Sequence, residues 1–220
     1  FDIAGMNIAC EEVGGDYYDY LTSGSSQDLA VVVGDISGHG VDSALLMSSA
    51  RAFLRMRASQ PGSGAEIIDS LNRHLCADVE QSGHFMTMFY LNFNQERNEI
   101  DWIRAGHDPA LLYDAGKDRF EELGGAGLAL GVDADYPFDG HYRTNLEHGQ
   151  IFLIYTDGLW EACDSSGEPY GKERLKNCLR RHSRLKASEI IEHILKDQQR
   201  FRNGAANEDD ITLVVVKFQG

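Results

Sequence analysis

The sequence predicts an α+β fold in which antiparallel sheets carry helices on their outer sides. Strand-like apolar runs cluster around four long helical stretches, without the regular β-α-β alternation of a doubly wound sheet. The middle of the chain is a succession of short strands, one pair of which is joined by a hairpin-length loop at Asn94–Asn98. At 220 residues and 42% apolar content, the chain is long enough to bury one real core.

Taken in order, Phe1–Cys10 and Tyr17–Leu21 read as strands, with a turn over Ser23–Asp28 before the apolar run Leu29–Asp35. Val41–Ser59 reads as a helix with almost no polar face before Arg51, Arg55 and Arg57, which predicts a largely buried element. Ala65–Glu80 is amphipathic. Ile67, Ile68, Leu71, Leu75 and Val79 share one side, and Asp69 faces Arg73 one turn on. Strands follow at Phe85–Phe93, Glu99–Arg104, Ala110–Asp114 and Arg119–Leu123, then a glycine bend at Gly124–Gly127. Gln150–Thr156 is a buried strand and Lys172–His182 a helix. Ala187–Phe201 is a second amphipathic helix, with Ile190, Ile191, Ile194, Leu195 and Phe201 on its apolar side. Ile211–Phe218 closes as a strand. No repeat, low-complexity tract or linker interrupts the chain, so 1–220 reads as a single domain. Phe1 is not Met and already sits in a strand-like run, which predicts the C-terminal part of a longer regulatory protein.

Lys and Arg number 20 against 35 Asp and Glu, a formal charge of −15. That field repels nucleic acid and anionic membrane surfaces, and no apolar stretch approaches the ~20 residues of a membrane span. Cys10, Cys76, Cys163 and Cys178 lie far apart without a Cys-x-x-Cys spacing, so reduced thiols and a cytoplasmic location are expected. The same field repels phosphate. Phosphate chemistry here therefore requires a metal to invert the local sign, and a protein partner should present neutral or basic residues around its reacting site.

Five short motifs punctuate the chain: Gly14-Gly15-Asp16-Tyr17-Tyr18-Asp19, Gly34-Asp35-Ile36-Ser37-Gly38-His39-Gly40, Ala105-Gly106-His107, Thr156-Asp157-Gly158 and Asp209-Asp210-Ile211-Thr212. Asp35 and Asp157 end apolar strands, and Asp209-Asp210 opens one. A carboxylate at a strand end is costly to ionise unless a cation or donor compensates it. Several meeting at one edge would make an all-oxygen site for a hard divalent ion. The bland alternative for Asp35 or Ser37 is helix capping, which is common before a helix such as the one expected at Val41. Asp16 and Asp19 are three apart, so only one can share the site, and Asp16 beside the glycines is the better candidate. His39 and His107 suit loop or phosphate orientation better than direct ligation. Asp133 and Asp135 mimic a dehalogenase-type phosphatase start, but Pro137 breaks that pattern, and a solvated loop is expected.

Together and in order, the motifs resemble those of the PPM family, the metal-dependent type 2C serine/threonine protein phosphatases. The likeness is closest to the bacterial branch that regulates sigma factors in stress response and sporulation. It spans Ile3 to Phe218. The resemblance implies a four-layer αββα sandwich and two Mn²⁺ or Mg²⁺ ions. Asp35 resembles the carboxylate bridging both ions, Ile36 the residue whose backbone carbonyl binds one, and Asp157 and Asp209 further ligands. Asp16 resembles a direct or water-mediated ligand of the second ion. Asp210 stands where many relatives have Asn, which implies a place behind the ligands. The implied reaction is attack of metal-activated water on a phosphoserine or phosphothreonine of an anti-sigma-factor-antagonist-type partner, with His39 one option for the leaving-group acid. An upstream sensor or receiver domain is implied, and a homodimer is compatible. The N-terminal phosphate-binding Arg of eukaryotic members is missing from Phe1–Glu12, and the chain is shorter than members with a flap subdomain near the active site, which counts against a third metal site. Competing readings are a phosphoprotein-binding domain without turnover and a metal-dependent small-molecule phosphatase.

Overall fold

The computed structural model describes residues 1–22, 28–80, 82–94 and 96–219. Ten strands and four helices run in the order β1 (Asp2–Ile8), β2 (Tyr17–Thr22), β3 (Asp28–Ile36), α1 (Val41–Ala58), α2 (Gly64–Val79), β4 (Met86–Asn94), β5 (Glu99–Ala105), β6 (Ala110–Asp114), β7 (Arg119–Leu123), β8 (His141–Thr144), β9 (Ile151–Tyr155), α3 (Lys172–His182), α4 (Ala187–Arg202) and β10 (Ile211–Lys217). The turn expected over 23–28 lies outside the described residues up to Asp28, which opens β3, and so does residue 95 of the loop at Asn94–Asn98. Strand β8 was not foreseen. It is short and polar, and it exists because it pairs with β5 at the edge of a sheet.

Two five-stranded sheets form, ordered β1-β10-β9-β6-β7 and β2-β3-β4-β5-β8, and every strand pairing is antiparallel. They stack face to face with helices outside, as the α+β expectation required. Three apolar layers hold the four structural layers together. Val31, Val33, Phe89, Phe152, Ile154, Val214 and Val216 fill the space between the sheets. Val32, Met88, Tyr90 and Ile103 turn outward onto Leu54 of α1 and Ile67, Ile68 and Leu71 of α2. Leu153, Leu213 and Val215 turn outward onto Leu175 and Leu179 of α3 and Ile190 and Ile194 of α4. Because successive strand residues face opposite sides, a strand with apolar layers on both sides is apolar along the stretch they cover, as β9 is throughout and β10 is from Leu213 to Val216.

Two local expectations fail. Helix α1 is not largely buried: Val41 and Leu45 are each 66% exposed and Met56 53%. Its Ser43, Ala50, Leu54 and Ala58 stripe is buried, and Leu46, Met47 and Phe53 pack partly buried beside it. The apolar count predicted burial, but α1 lies over one sheet edge beside α2 and has a core on one side alone. Asp69 makes no ion pair with Arg73; its Oδ1 instead accepts the Phe138 backbone N–H at 3.2 Å.

Asp19 shows what parity does to a paired motif. Three residues from Asp16, it faces α1, where Arg55 donates to both its oxygens, Tyr17 donates its hydroxyl and its own strand neighbour Tyr20 donates its N–H. Burial alone would raise the Asp19 carboxyl, yet these donors together hold it below the ordinary 3.8. Asp19→Ala is expected to cost about 2 kcal/mol at neutral pH in urea denaturation. A lowered folded-state value means the contribution is complete above 3.8 and fades as pH falls through that lower value, so the gap to wild type should narrow in acid. A gap that stays constant to the acid unfolding limit would refute the ion-pair account.

Candidate active site

At one end of the inter-sheet space the inward-facing residues stop being apolar. Parity carries the inward face of β3 from Val31 and Val33 to Asp35, that of β9 from Phe152 and Ile154 to Thr156, and that of β10 from Val216 and Val214 to Thr212. Asp16, just before β2 in the sheet that holds Asp35, meets the other sheet here: Thr156 donates its hydroxyl to Asp16 Oδ2 at 2.8 Å. Thr156 Oγ1 in turn accepts the Thr212 N–H at 2.9 Å, and Asn7 bridges the Thr212 hydroxyl and the Asp16 carbonyl. The two sheets are thereby stitched together by polar groups at this end.

Two glycines permit the close approach. Gly158, in the 3₁₀ turn Asp157–Leu159, packs on the Asp210 carbonyl so tightly that a Cβ would collide with it, which brings Asp157 beside Asp209. A Cβ on Gly15 would stand 2.9 Å from the Ile36 carbonyl oxygen, so that oxygen also belongs to this edge. Asp210 anchors the glycine loop: Oδ1 accepts Cys10 N–H at 2.8 Å, and Oδ2 accepts Gly15 N–H at 2.8 Å and Asp16 N–H at 3.4 Å. Asp16 and Asp210 are buried, Asp35 and Asp157 half-buried, and Asp209 exposed.

A shallow cavity of about 130 Å³ opens here, lined by Asp35, Thr87, Gly106, His107, Asp108, Asp157, Trp160 and Glu161. Burial pushes the Asp35 carboxyl up, and the charges of Asp16, Asp157, Asp209 and Asp210 push it further. Asp16 is raised mainly by burial, against the hydrogen bonds that stabilise it. Asp157 is raised by burial and by Asp209. Like charges gathered without a basic partner are the condition that a divalent cation relieves. The donor set, carboxylates plus one backbone carbonyl, has the chemistry of a Mg²⁺ or Mn²⁺ site. Among the described residues, no three His, Cys, Asp or Glu side chains close into a finished ligand cage.

The histidines divide. His39 is 59% exposed in its side chain, pairs with Glu11 at 3.0 Å and does not line the cavity. His107 is fully buried at the cavity wall. Its Nε2 lies 3.1 Å from the Tyr155 carbonyl, which can only accept, so Nε2 carries the proton and Nδ1 accepts from the Thr87 hydroxyl at 2.7 Å. Burial depresses its pKa to about 4, leaving a neutral ring. Ser37 is no helix cap: its hydroxyl accepts the Phe85 N–H at 3.0 Å, and α1 starts on Gly40 without a side-chain cap. Asp133 and Asp135 are exposed in a loop and do not line the cavity.

Sequence reasoning missed Thr87, Asp108, Trp160 and Glu161. Thr87 is the cross-strand neighbour of Asp35, a relation that exists only once β3 and β4 are in register. Glu161 had a legible signal, since it follows Asp157 by four residues and its N–H donates to the Asp157 carbonyl. Burial, Asp157 and Asp108 raise its carboxyl. Asp108 accepts the Trp160 indole N–H at 2.6 Å and pairs with Lys172 at 3.0 Å, closing the rim.

The family model described as Stage II sporulation protein E (SpoIIE) matches residues 25–219. The phosphoserine phosphatase RsbU of Bacillus subtilis (strain 168) is 27% identical over 219 residues, covering 98% of this chain and 63% of RsbU. The chain thus spans less than two thirds of that relative. The solved RsbU and RsbW domains of a Mycobacterium tuberculosis protein are 29% identical, covering 99% of this chain and 60% of that one, with a TM-score of 0.79. The SiaA-PP2C domain of Pseudomonas aeruginosa shares the fold at 24% identity and a TM-score of 0.88, covering 99% of this chain and 86% of that one. With a family match across nearly its whole length and the two-sheet architecture of the PP2C domains, the chain belongs to the SpoIIE family.

Proposed function

We propose that the protein is a metal-dependent phosphatase that hydrolyses phosphoserine or phosphothreonine on a regulatory protein of a sigma-factor pathway, acting in the cytoplasm. The observation that carries this reading is the carboxylate cluster at the mouth of the inter-sheet space. It offers Asp16, Asp35, Asp157 and Asp209 with the Ile36 carbonyl, and Asp210 behind them, as the residues that would hold two Mn²⁺ or Mg²⁺ ions. Bound there, such ions supply positive charge to phosphoryl oxygens and acidify water. The protein's own groups supply position. Asp210 fixes the Gly15–Asp16 loop, and Thr156 fixes Asp16. Thr87, its proton given to His107, keeps lone pairs free to accept from a water in the cavity. The relative RsbU, a phosphoserine phosphatase, and the RsbW domain beside an RsbU domain in the solved structure support the substrate class and the pathway. The four cysteines are unpaired, which suits a reducing compartment. No helix among the described residues is long and apolar enough to cross a membrane.

The cavity, about 130 Å³, is far below the roughly 300–1,000 Å³ of sites that enclose small molecules. It suits a phosphoryl group protruding from a folded partner better than a free nucleotide. The carboxylates that the family resemblance assigns as ligands, Asp16, Asp35, Asp157 and Asp209, are all present, which argues against a binding-only domain.

Asp35→Asn should lower turnover of a phosphoserine peptide by at least about a hundredfold at saturating Mn²⁺, while Asp133→Asn stays within about twofold of wild type. Equal activity of the two variants would sink the assignment of Asp35. EDTA should abolish turnover, and Mn²⁺ or Mg²⁺ restore it, with a change in unfolding free energy of no more than about 3 kcal/mol. A chain that fails to fold in EDTA contradicts that expectation. Thr87→Val leaves the buried His107 Nδ1 without its donor. Stability should fall by about 1–3 kcal/mol in urea denaturation, and kcat should fall with KM little changed; an unaltered kcat would remove Thr87 from the working site.

A further inference from the structure

The acidic balance of the chain is not uniform. Residues 172–202, helices α3 and α4 with their connection, hold ten of the twenty Lys and Arg but four of the thirty-five Asp and Glu. This segment carries +6 while the remainder carries −21. Between the two helices lies a groove of about 380 Å³ lined by Arg174, Asn177, Arg181, Asp197, Arg200 and Phe201, and Arg200 continues it into a second concavity beside Lys196. Arg174, Asn177 and Arg181 share one face of α3 at helical spacing.

The groove's cations are held ready. Arg174 lies over the Phe201 ring at 4.4 Å and donates to the Pro169 and Tyr170 carbonyls and to Glu168. Among the described residues Arg181 has no carboxylate partner, its Nε donating to the Asn177 carbonyl, and Arg200 has no partner at all. The one carboxylate in the groove, Asp197, accepts the Tyr170 hydroxyl at 2.8 Å, and the exposed guanidinium groups that outnumber it suit forked recognition of carboxylates. One loop joins the groove to the cavity rim. The loop 160–171 starts with Trp160 and Glu161 on the cavity and ends with the carbonyls that hold Arg174, and Lys172 at the start of α3 pairs with Asp108 of the cavity wall.

We propose that the α3–α4 groove docks an acidic segment of the phosphoprotein substrate while the cavity takes its phosphoryl group, an inference that rests on the phosphatase reading. Charge complementarity selects this occupant. A polyanion as long as nucleic acid would meet the −21 remainder of the surface. The neutral or basic surroundings expected of the partner are thereby confined to the phosphosite itself, and an acidic stretch is placed beyond it.

The probes are two synthetic phosphoserine peptides, one with a run of glutamates flanking the phosphosite at a distance and one with glutamines in their place. Arg181→Glu combined with Arg200→Glu should raise KM for the glutamate peptide roughly tenfold with kcat unchanged, and leave the glutamine peptide unaffected. The milder Arg181→Gln with Arg200→Gln should show the same order with a smaller effect. Binding of the glutamate peptide without phosphate, followed by fluorescence anisotropy in EDTA, should weaken in parallel and fall with salt. Hydrolysis of p-nitrophenyl phosphate should be equal in all variants; if wild type itself lacks that activity, the phosphatase reading fails while the anisotropy still judges the groove. Indifference of KM and of anisotropy to the substitutions overturns the docking proposal. So does a wild-type dimer that the substitutions dissociate, since the groove is then filled by a second copy.

Discussion

Strand alternation is the constraint on which the rest of this structure depends. The parity that places Val31, Val33, Phe152, Ile154, Val214 and Val216 between the sheets also places Asp35, Thr156 and Thr212 in the same space a step further along. A one-residue slip of β3 would turn Asp35 outward and Val32 inward. The inner apolar layer and the acidic site are therefore one register decision. Ten antiparallel strands with three apolar layers over-determine that register, so the carboxylates cannot swing away from one another to relieve their repulsion.

That repulsion gives the site its character. Removing a carboxylate from water costs several kcal/mol unless charge or donors compensate it, and here each raised carboxyl owes its shift first to burial. The surrounding network compensates unevenly. Asp210 receives three backbone N–H groups and Asp16 a hydroxyl, whereas Asp35 and Asp157 face the cavity with further acidic neighbours, Asp16 and Asp157 beside the first, Asp209 and Asp108 beside the second. Neutral donors thus secure the loop-holding acids, while the cavity-facing pair keeps the raised carboxyls that the proposed cations would relieve. Asp19 is the contrast: the same residue type, three positions from Asp16, is neutralised by Arg55 and serves to hold α1.

The uneven charge follows the layers. The carboxylates gather where the two sheets open, and the excess of Lys and Arg lies on the one helical layer that begins at the rim of that opening. A net charge of −15 describes neither region. Arguments from whole-chain charge hold for long polyanions, which sample the entire surface, and fail for a segment that meets one helix pair.

The sequence by itself determined a good deal. Apolar runs and helical spacing located nine of the ten strands and all four helices, because each carries its own period in the chain. The order of the five motifs named the acidic residues, since strand-end Asp beside Gly is a local pattern. Only the tertiary structure decided what those residues do to each other. The failure at α1 is physical: Val41, Leu45 and Met56 are apolar, but burial requires a neighbouring layer, which no local pattern reveals. Edge strand β8 owes its existence to β5 and not to its own residues. Thr87 met Asp35, and His107 met Thr87, through strand register and loop closure across 20 and more positions. Trp160 and Glu161 reached the cavity because the turn after β9 folds back over it. Local chemistry is written residue by residue; convergence at one sheet edge is fixed by pairing between distant strands.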